Sequence, residues 1–224
     1  MNFLSHFYFD RLNTDANVVM GVVLPDLIKN ASKEANLYPQ KNEFLFLGNY
    51  DEEGLLAGWK RHLAVDLFFH SSDFFLQKTT ELKQLIIPVV ENTSVRPSFL
   101  AHIGLELLLD HLLIEHNLIQ VNHFYDKLAA VKKESLSDFL EHCKLKNPEI
   151  FFKFLEQFIS SKYFLSYQKL ENISYALNRI CMRLWPETLD EKQINQLTFQ
   201  LAFFKEVLEK DFMDIFEEIE LKLS

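Results

Sequence analysis

Apolar residues recur at helical spacing along nearly the whole chain. This pattern restricts the possible fold classes more than any other feature of the sequence. In the last segment Leu197, Leu201 and Phe204 fall on one side, with acidic residues opposite. No segment shows a convincing period-two alternation, so no substantial sheet is expected. The sequence predicts an all-α helical bundle that forms a single domain over residues 1–224. The predicted helices cover residues 15–29, 52–78, 97–118, 121–142, 147–160, 163–184 and 189–221.

Composition excludes several classes of function. Only 5 glycines occur, and neither a glycine-rich phosphate loop nor a dinucleotide fingerprint is present. A formal net charge of −9 argues against broad attraction to nucleic acid or to an anionic membrane. Cys143 and Cys181 form no CxxC pair and no disulfide framework.

The first ten residues and the apolar runs point to the cytoplasm. The segment that contains His6 and Asp10 has no basic lead, so it does not resemble a signal peptide. No uncharged apolar run approaches the roughly 20 residues that a membrane helix needs. We therefore expect a cytoplasmic protein that binds neither membrane nor nucleic acid.

A stripe of histidine and aspartate runs along the predicted helix at 52–78. His62, Asp66, His70 and Asp73 are spaced 4, 4 and 3 residues apart, and the residues around them are mostly apolar. At about 100° per residue these side chains share one narrow face. Imidazole and carboxylate ligands at this spacing suit Mn²⁺, Fe²⁺ or Zn²⁺. The alternative is a solvated face with His–Asp ion pairs.

The predicted helix at 97–118 carries two polar stripes. His102, Glu106 and Asp110 share one, and His111 and Glu115 lie roughly opposite. One stripe should face solvent and the other a polar interior, and the pattern does not decide between them. Asp110 alone fits a cap or a surface partner as well as it fits a metal ligand.

Two further residues are isolated in apolar surroundings. His6 lies in a run of Phe, Leu and Tyr, where a hydrogen-bonded core histidine is the ordinary explanation. Asp26 follows Pro25 inside an apolar segment and needs a partner if it is buried. A helix cap is the simplest interpretation of Asp26, and a functional role is the alternative.

Four short motifs occur in the order found in the acyl-carrier-protein phosphodiesterases. Met1–His6 (MNFLSH) resembles that family's MNFLAH opening, and Gly21–Asp26 resembles its GN-L-x-x-D segment. Ala57–Asp66 is similar to its AG-x-x-x-HR-x-ID motif, and Leu109–His116 to its DHFL-x-x-H motif. The resemblance extends over the whole chain, with weaker specificity in the C-terminal helices.

The resemblance implies an all-helical fold related to the HD-type metal-dependent phosphohydrolases. It implies hydrolysis of the phosphodiester that joins 4′-phosphopantetheine to a serine of acyl carrier protein. A divalent metal is implied, with Mn²⁺ first and Fe²⁺ or Zn²⁺ as alternatives. The implied metal ligands are His62, Asp66 and Asp110, followed by Asp26 and His6. The implied catalytic residues are His70 or His111 as general acid and Arg61 as a partner of the phosphate.

The chain departs from the family pattern beside the expected site, at Val22, Leu63, Phe69–His70 and Glu106. Two other functions therefore stay open. One is a metal-dependent phosphohydrolase acting on a small phosphorylated metabolite or nucleotide, and the other is a non-catalytic helical interaction protein.

A basic rim beside the metal site would distinguish these functions. An acidic carrier protein would be repelled by a protein of charge −9 unless basic residues cluster near the site. A closed pocket without such a rim would favour a small substrate. The candidate basic pairs are Lys60 with Arg61, Lys132 with Lys133, and Arg179 with Arg183.

Overall fold

The computed structural model describes residues 1–223, and only Ser224 of the predicted domain lies outside them. The described residues form eleven α-helices and three short 3-10 helices, without a strand, so the all-α prediction is confirmed. The helices are α1 (Phe3–Phe9), α2 (Ala16–Ala31), α3 (Tyr50–Ser71), α4 (Asp73–Ile86), α5 (Pro97–Glu115), α6 (Val121–Ala129), α7 (Lys133–His142), α8 (Pro148–Ser161), α9 (Leu170–Cys181), α10 (Glu191–Leu208) and α11 (Phe212–Leu223). The 3-10 helices are Pro39–Lys41, Glu43–Leu45 and Tyr163–Gln168.

The predicted helix 52–78 is in fact two helices, because Ser72 ends α3 and begins α4. Its backbone is extended, and its hydroxyl accepts a hydrogen bond from the backbone N–H of Phe75, as an N-cap does. Asp73 consequently lies in the first turn of α4 and not on the stripe of α3. Periodicity alone missed this break because Ser72 sits between segments with the same apolar spacing.

Other predicted helices also divide, and one helix was not predicted at all. The segment 121–142 is α6 and α7, and 189–221 is α10 and α11. The segment 163–184 begins as a 3-10 helix and ends earlier, at Cys181. The unpredicted helix, α1, has seven residues, all of them buried, so it shows no polar face that periodicity could detect.

Helices α2 and α3 are in backbone contact through Gly21 and Gly58. A Cβ atom built on Gly58 would lie 2.1 Å from the carbonyl oxygen of Val18 and 2.7 Å from the Cα atom of Gly21. Only residues without a side chain allow this approach. The contact fixes the histidine stripe of α3 against α2, which carries Asp26.

Helix α5 forms the centre of the core. It is long and apolar enough to cross a membrane by length and composition, but 72% of its apolar window is buried inside the fold. It packs against α1, α4 and α9. The polar stripe of α5 that contains Asp110 therefore faces protein, where it meets the N-terminal residues and α3.

Candidate metal centre

His6, His62 and Asp66 converge from α1 and α3. The Nε2 atom of His6 lies 3.2 Å from Oδ1 of Asp66, and the Nε2 atom of His62 lies 3.6 Å from Oδ2. Ligand atoms of all three side chains lie within 4.8 Å of one another. We call this group the first cluster.

The backbone of α2 sets the tautomer of His62. Its Nδ1 atom lies 2.8 Å from the carbonyl oxygen of Val22, and because a carbonyl only accepts, Nδ1 must donate. The neutral ring then presents a bare Nε2 lone pair to Asp66, as histidine ligands of metals do. The departure at Val22 keeps this contact, since the acceptor is the backbone.

The imidazole of His6 is fully buried, and its ring nitrogens lack hydrogen-bond partners in the described part of the chain. Neither ring nitrogen has a well-formed hydrogen bond among the described residues, although Nε2 is close to Asp66. The ring stacks on that of His62 with centroids 3.9 Å apart. Burial, with the neighbouring His62 ring, lowers the pKa of His6 to about 4. His6 is therefore neutral near pH 7, the form in which imidazole binds a metal.

Beside the first cluster lies a second one, formed by His70, His102 and Glu106. The Nε2 atoms of His70 and His102 lie 3.2 Å and 3.1 Å from the same oxygen, Oε1 of Glu106. Ligand atoms of these three residues also lie within 4.8 Å of one another. His102 and Glu106 are one turn apart on α5, and His70 comes from the end of α3.

The α-ammonium group of Met1 lies between the two clusters. It is 2.7 Å from Oδ1 of Asp66 and 3.2 Å from Oε1 of Glu106. Burial opposes ionisation of Asp66, but the His6 contact and the ammonium outweigh it and hold the pKa of Asp66 below its usual range. The ammonium, His102 and His70 likewise outweigh burial at Glu106 and lower its pKa. Both carboxylates are thus ionised and attract cations.

Asp26 stands apart from the two clusters but within reach of their charges. Its carboxylate has neither a hydrogen bond nor an ion pair in the described part of the chain, and Asn30 contacts only its backbone oxygen. Burial raises the pKa of Asp26 to about 6, against the opposing effect of His6. An acid with that pKa exchanges a proton close to neutral pH.

A cavity of about 800 Å³ opens beside Met1, Asp26 and Glu106. Aromatic side chains from α8, α9 and the 3-10 helix at Tyr163–Gln168 form much of its wall. They include Phe154, Phe158, Tyr163, Phe164 and Tyr175. The cavity is therefore anionic at its buried part and apolar along its sides.

The outer lining of the cavity is basic. Lys33, Arg179 and Arg183 line it and are exposed to solvent, and the ammonium of Lys33 lies 3.4 Å from the carbonyl oxygen of Arg183. We call these three residues the basic rim. Of the basic pairs noted in the sequence, Arg179 with Arg183 is the one that lines this cavity.

The match to a family model spans nearly the whole chain. A model described as acyl carrier protein phosphodiesterase matches residues 1–219. The chain belongs to this family. No curated protein and no solved structure is significantly similar to it. The resemblance drawn from the four motifs is confirmed at the level of the family.

Asp110, named by the family motif as a ligand candidate, lies outside both clusters. Its Oδ1 accepts from the backbone N–H and hydroxyl of Ser5, at 2.8 Å and 2.7 Å. Its Oδ2 accepts from the backbone N–H of Leu4 and the side chain of Asn2. Asp110 thus satisfies the open N–H groups at the start of α1, as an N-cap does, from another helix. It positions His6.

Arg61 and His111, the other residues carried over from the motifs, are also engaged elsewhere. Arg61 pairs with Asp10, with 2.8 Å between Nε and Oδ2. His111 is buried, and its Nδ1 donates to the carbonyl oxygen of Tyr167 at 2.7 Å. Neither residue lines the cavity.

The other two basic pairs lie away from the cavity as well. Lys60 pairs with Glu43, and Lys132 pairs with Asp51. Lys133 lines a different groove. The rim therefore rests on Lys33, which sequence reasoning missed, and on the two arginines of the α9 region.

Sequence reasoning also omitted His102 and Glu106 from the site. Their i, i+4 spacing was visible, but so was the same spacing of His111 and Glu115 on the opposite side of the helix. The one sequence signal for this cluster was that His70 and Glu106 both depart from the family pattern. The structure shows that these two residues contact each other.

The first cluster fits the metal that the family implies. It supplies two imidazole nitrogens and a carboxylate, a set that suits Mn²⁺, Fe²⁺ or Zn²⁺. The unsatisfied nitrogens of His6 and the bare Nε2 of His62 are the observations behind this fit. Of the five predicted ligands, His6, His62 and Asp66 come together, and Asp26 and Asp110 do not join them.

Proposed function

We propose that this protein is a metal-dependent phosphodiesterase that hydrolyses the bond between 4′-phosphopantetheine and a serine of holo-acyl carrier protein. The supporting observation is the cavity, which is lined by Met1, Asp26 and Glu106 beside the two histidine clusters and continues outward into aromatic walls and a basic rim. A small phosphorylated metabolite needs no such rim, and an acidic carrier protein does.

The cavity and the first cluster beside it match different parts of that substrate. The basic rim of Lys33, Arg179 and Arg183 faces the acidic carrier surface. The aromatic walls provide apolar surface for the pantetheine arm. His6, His62 and Asp66 hold Mn²⁺ or a similar ion, which when bound neutralises phosphate charge and lowers the pKa of a water molecule.

The reaction adds a water oxygen to phosphorus and breaks the bond from phosphorus to the serine oxygen. The serine oxygen takes up a proton, and the products are apo-carrier protein and 4′-phosphopantetheine. Asp26 lines the cavity, and its raised pKa fits a proton donor for the serine oxygen near pH 7. This assignment replaces His70, whose Nε2 faces Glu106, and His111, which is outside the cavity.

Mass spectrometry of the carrier protein tests this function. Purified holo-acyl carrier protein should be converted to the apo form by the Mn²⁺-loaded enzyme, and Asp66→Ala should lose the activity. A small phosphodiester serves as the competing substrate. Hydrolysis of the small diester alone would support the small-metabolite function, and hydrolysis of neither substrate would support a non-catalytic role.

Charge reversal tests the rim. The double variant Arg179→Glu and Arg183→Glu should lower kcat/KM for holo-carrier protein about 10- to 100-fold at low salt, mainly through KM. The difference should shrink at high salt because ions screen the attraction. The double variant Lys144→Glu and Lys146→Glu, at exposed residues outside the cavity, makes the same change in net charge and is the matched control. An equal loss in this control would show that net charge, and not the rim, controls binding.

A further inference from the structure

The second cluster contains two of the residues at which this chain departs from the family pattern that it resembles, His70 and Glu106. These two departures meet in the fold, with Nε2 of His70 3.2 Å from Oε1 of Glu106. His102 completes the group at 3.1 Å from the same oxygen. Two departures that are far apart in the sequence thus belong to one group of side chains.

The tautomer of His70 requires a positive charge between its ring and Glu106. Its Nδ1 lies 2.9 Å from the backbone carbonyl oxygen of Asp66, which only accepts, so Nδ1 donates. In the neutral ring Nε2 is then a bare lone pair that faces an ionised carboxylate. Two acceptors at 3.2 Å repel each other unless a proton or a metal ion lies between them.

A proton satisfies this arrangement less well than a metal ion does. His102 approaches the same oxygen, and the rings of His70 and His102 have centroids only 5.1 Å apart. A single proton joins only one of the two rings to that oxygen. One divalent ion accepts both imidazole lone pairs and the carboxylate oxygen together.

The spacing of the donor atoms fits a single ion. Ligands about 2.1 Å from one ion in tetrahedral or octahedral geometry lie roughly 3.0 to 3.4 Å from each other. The two distances to Oε1 of Glu106 are 3.1 Å and 3.2 Å. The side chains of His70 and His102 are 33% and 40% exposed, which leaves coordination positions open to water or substrate.

From this geometry we infer that His70, His102 and Glu106 bind a second divalent transition metal ion, beside the ion of the first cluster. Two imidazoles and one carboxylate with open positions suit Fe²⁺, Mn²⁺ or Zn²⁺. Binding at this site does not depend on the substrate. Its use as one half of a two-ion clamp on a phosphodiester rests on the proposed function.

Equilibrium dialysis with elemental analysis tests the inference, with Zn²⁺ and Mn²⁺ as the probes on chelator-treated protein. We expect two ions per wild-type chain and one ion each in His102→Ala and His62→Ala. The double variant should bind neither ion. His123→Ala removes an exposed histidine outside both clusters and should keep two ions. The affinity for the second ion should fall at least about 100-fold in His102→Ala.

Several outcomes would overturn the inference. One ion in the wild-type protein would do so, and so would two ions that His102→Ala leaves unchanged. Circular dichroism checks that the variants fold, and His102→Asp, which keeps a ligand atom, should retain measurable binding. Two ions without hydrolysis of holo-carrier protein would refute the proposed substrate and leave this site standing. Hydrolysis of holo-carrier protein by an enzyme that binds one ion would support the proposed substrate and refute the second metal site.

Discussion

The contact between Gly21 and Gly58 links the stability of the fold to the geometry of the candidate metal centre. In Gly58→Ala the new Cβ would lie 2.1 Å from the carbonyl oxygen of Val18. It would also lie 2.7 Å from the backbone nitrogen of Val22. Both neighbours are backbone atoms, so no rotamer change can relieve the clash. The two helices must separate by about 1 Å to restore normal contact distances.

That separation carries a cost in folding free energy. Overpacking of a core costs about 1–3 kcal/mol, and this clash between rigid backbones belongs at or above the upper end. The intrinsic preference of alanine for helices returns about 1 kcal/mol. We therefore expect Gly58→Ala to lower the free energy of unfolding by at least about 2 kcal/mol.

The same movement should weaken metal binding at the first cluster. His62 lies one turn beyond Gly58, and its Nδ1 donates to the carbonyl of Val22 over 2.8 Å. Lengthening this bond by about 1 Å breaks it. Loss of such an orienting partner costs about 10- to 100-fold in metal affinity.

Urea unfolding and dialysis against Mn²⁺ measure the two effects. Gly104→Ala is the matched control, because its new Cβ would meet only a side-chain methyl group, that of Leu82 at 3.3 Å, and the substitution gains the same helix preference. If Gly58→Ala unfolds at the urea midpoint of the control and binds Mn²⁺ as tightly as the wild type, the glycine contact does not couple stability to metal binding.

Three further predictions each concern a buried side chain. Asp110→Ala should lower the free energy of unfolding in urea by about 2–4 kcal/mol, because two backbone N–H groups of α1 lose their acceptor. An unchanged urea midpoint would contradict the role of Asp110 as a cap of α1. Asp26→Asn should stabilise the metal-free protein by about 2 kcal/mol at pH 7, after allowance for partial exposure, and not at pH 4. Asp26→Asn should be stabilising because the pKa of Asp26 is about 6 in the fold, above its usual 3.8, so that ionisation of Asp26 destabilises the fold as pH rises between these values. An equal stability difference between variant and wild type at both pH values would contradict this prediction. Burial raises the pKa of Cys143 to about 12 and of Cys181 to about 11, so alkylation at pH 8 should be at least about 100-fold slower in the native protein than in urea.

The sequence could predict those residues of the site that lie on the same helix. His62 and Asp66 share a face of α3 because four residues make about one turn, and that rule needs no knowledge of the fold. His6 could be named only through the family motif, since a histidine among apolar residues gives no local sign of its partners.

The part that sequence could not predict depends on contacts between distant segments. Asp110 caps α1 across more than 100 positions of the chain, and no local pattern distinguishes such a cap from a metal ligand. The choice between the His102 and His111 stripes likewise depended on which side of α5 meets α3. Lys33 and Arg179 join one rim only because the end of α2 lies near α9.

The charge distribution of the site explains why the proposed metal ion should stabilise the fold. Asp66 and Glu106 are ionised in largely buried positions, Asp26 lacks a partner, and His6 is held neutral. The Met1 ammonium pairs with Asp66 and Glu106, but the unpaired carboxylate of Asp26 and the unsatisfied imidazole nitrogens of His6 oppose folding, and a cation bound at the proposed site would remove part of this cost. Metal binding must then raise stability, by an amount set by the ion concentration relative to its Kd. Mn²⁺ at 100 times its Kd should add about 2.7 kcal/mol, and Asp66→Ala should abolish the rise in Tm. A wild-type Tm that does not respond to Mn²⁺ would mean that protons and the Met1 ammonium already balance these charges.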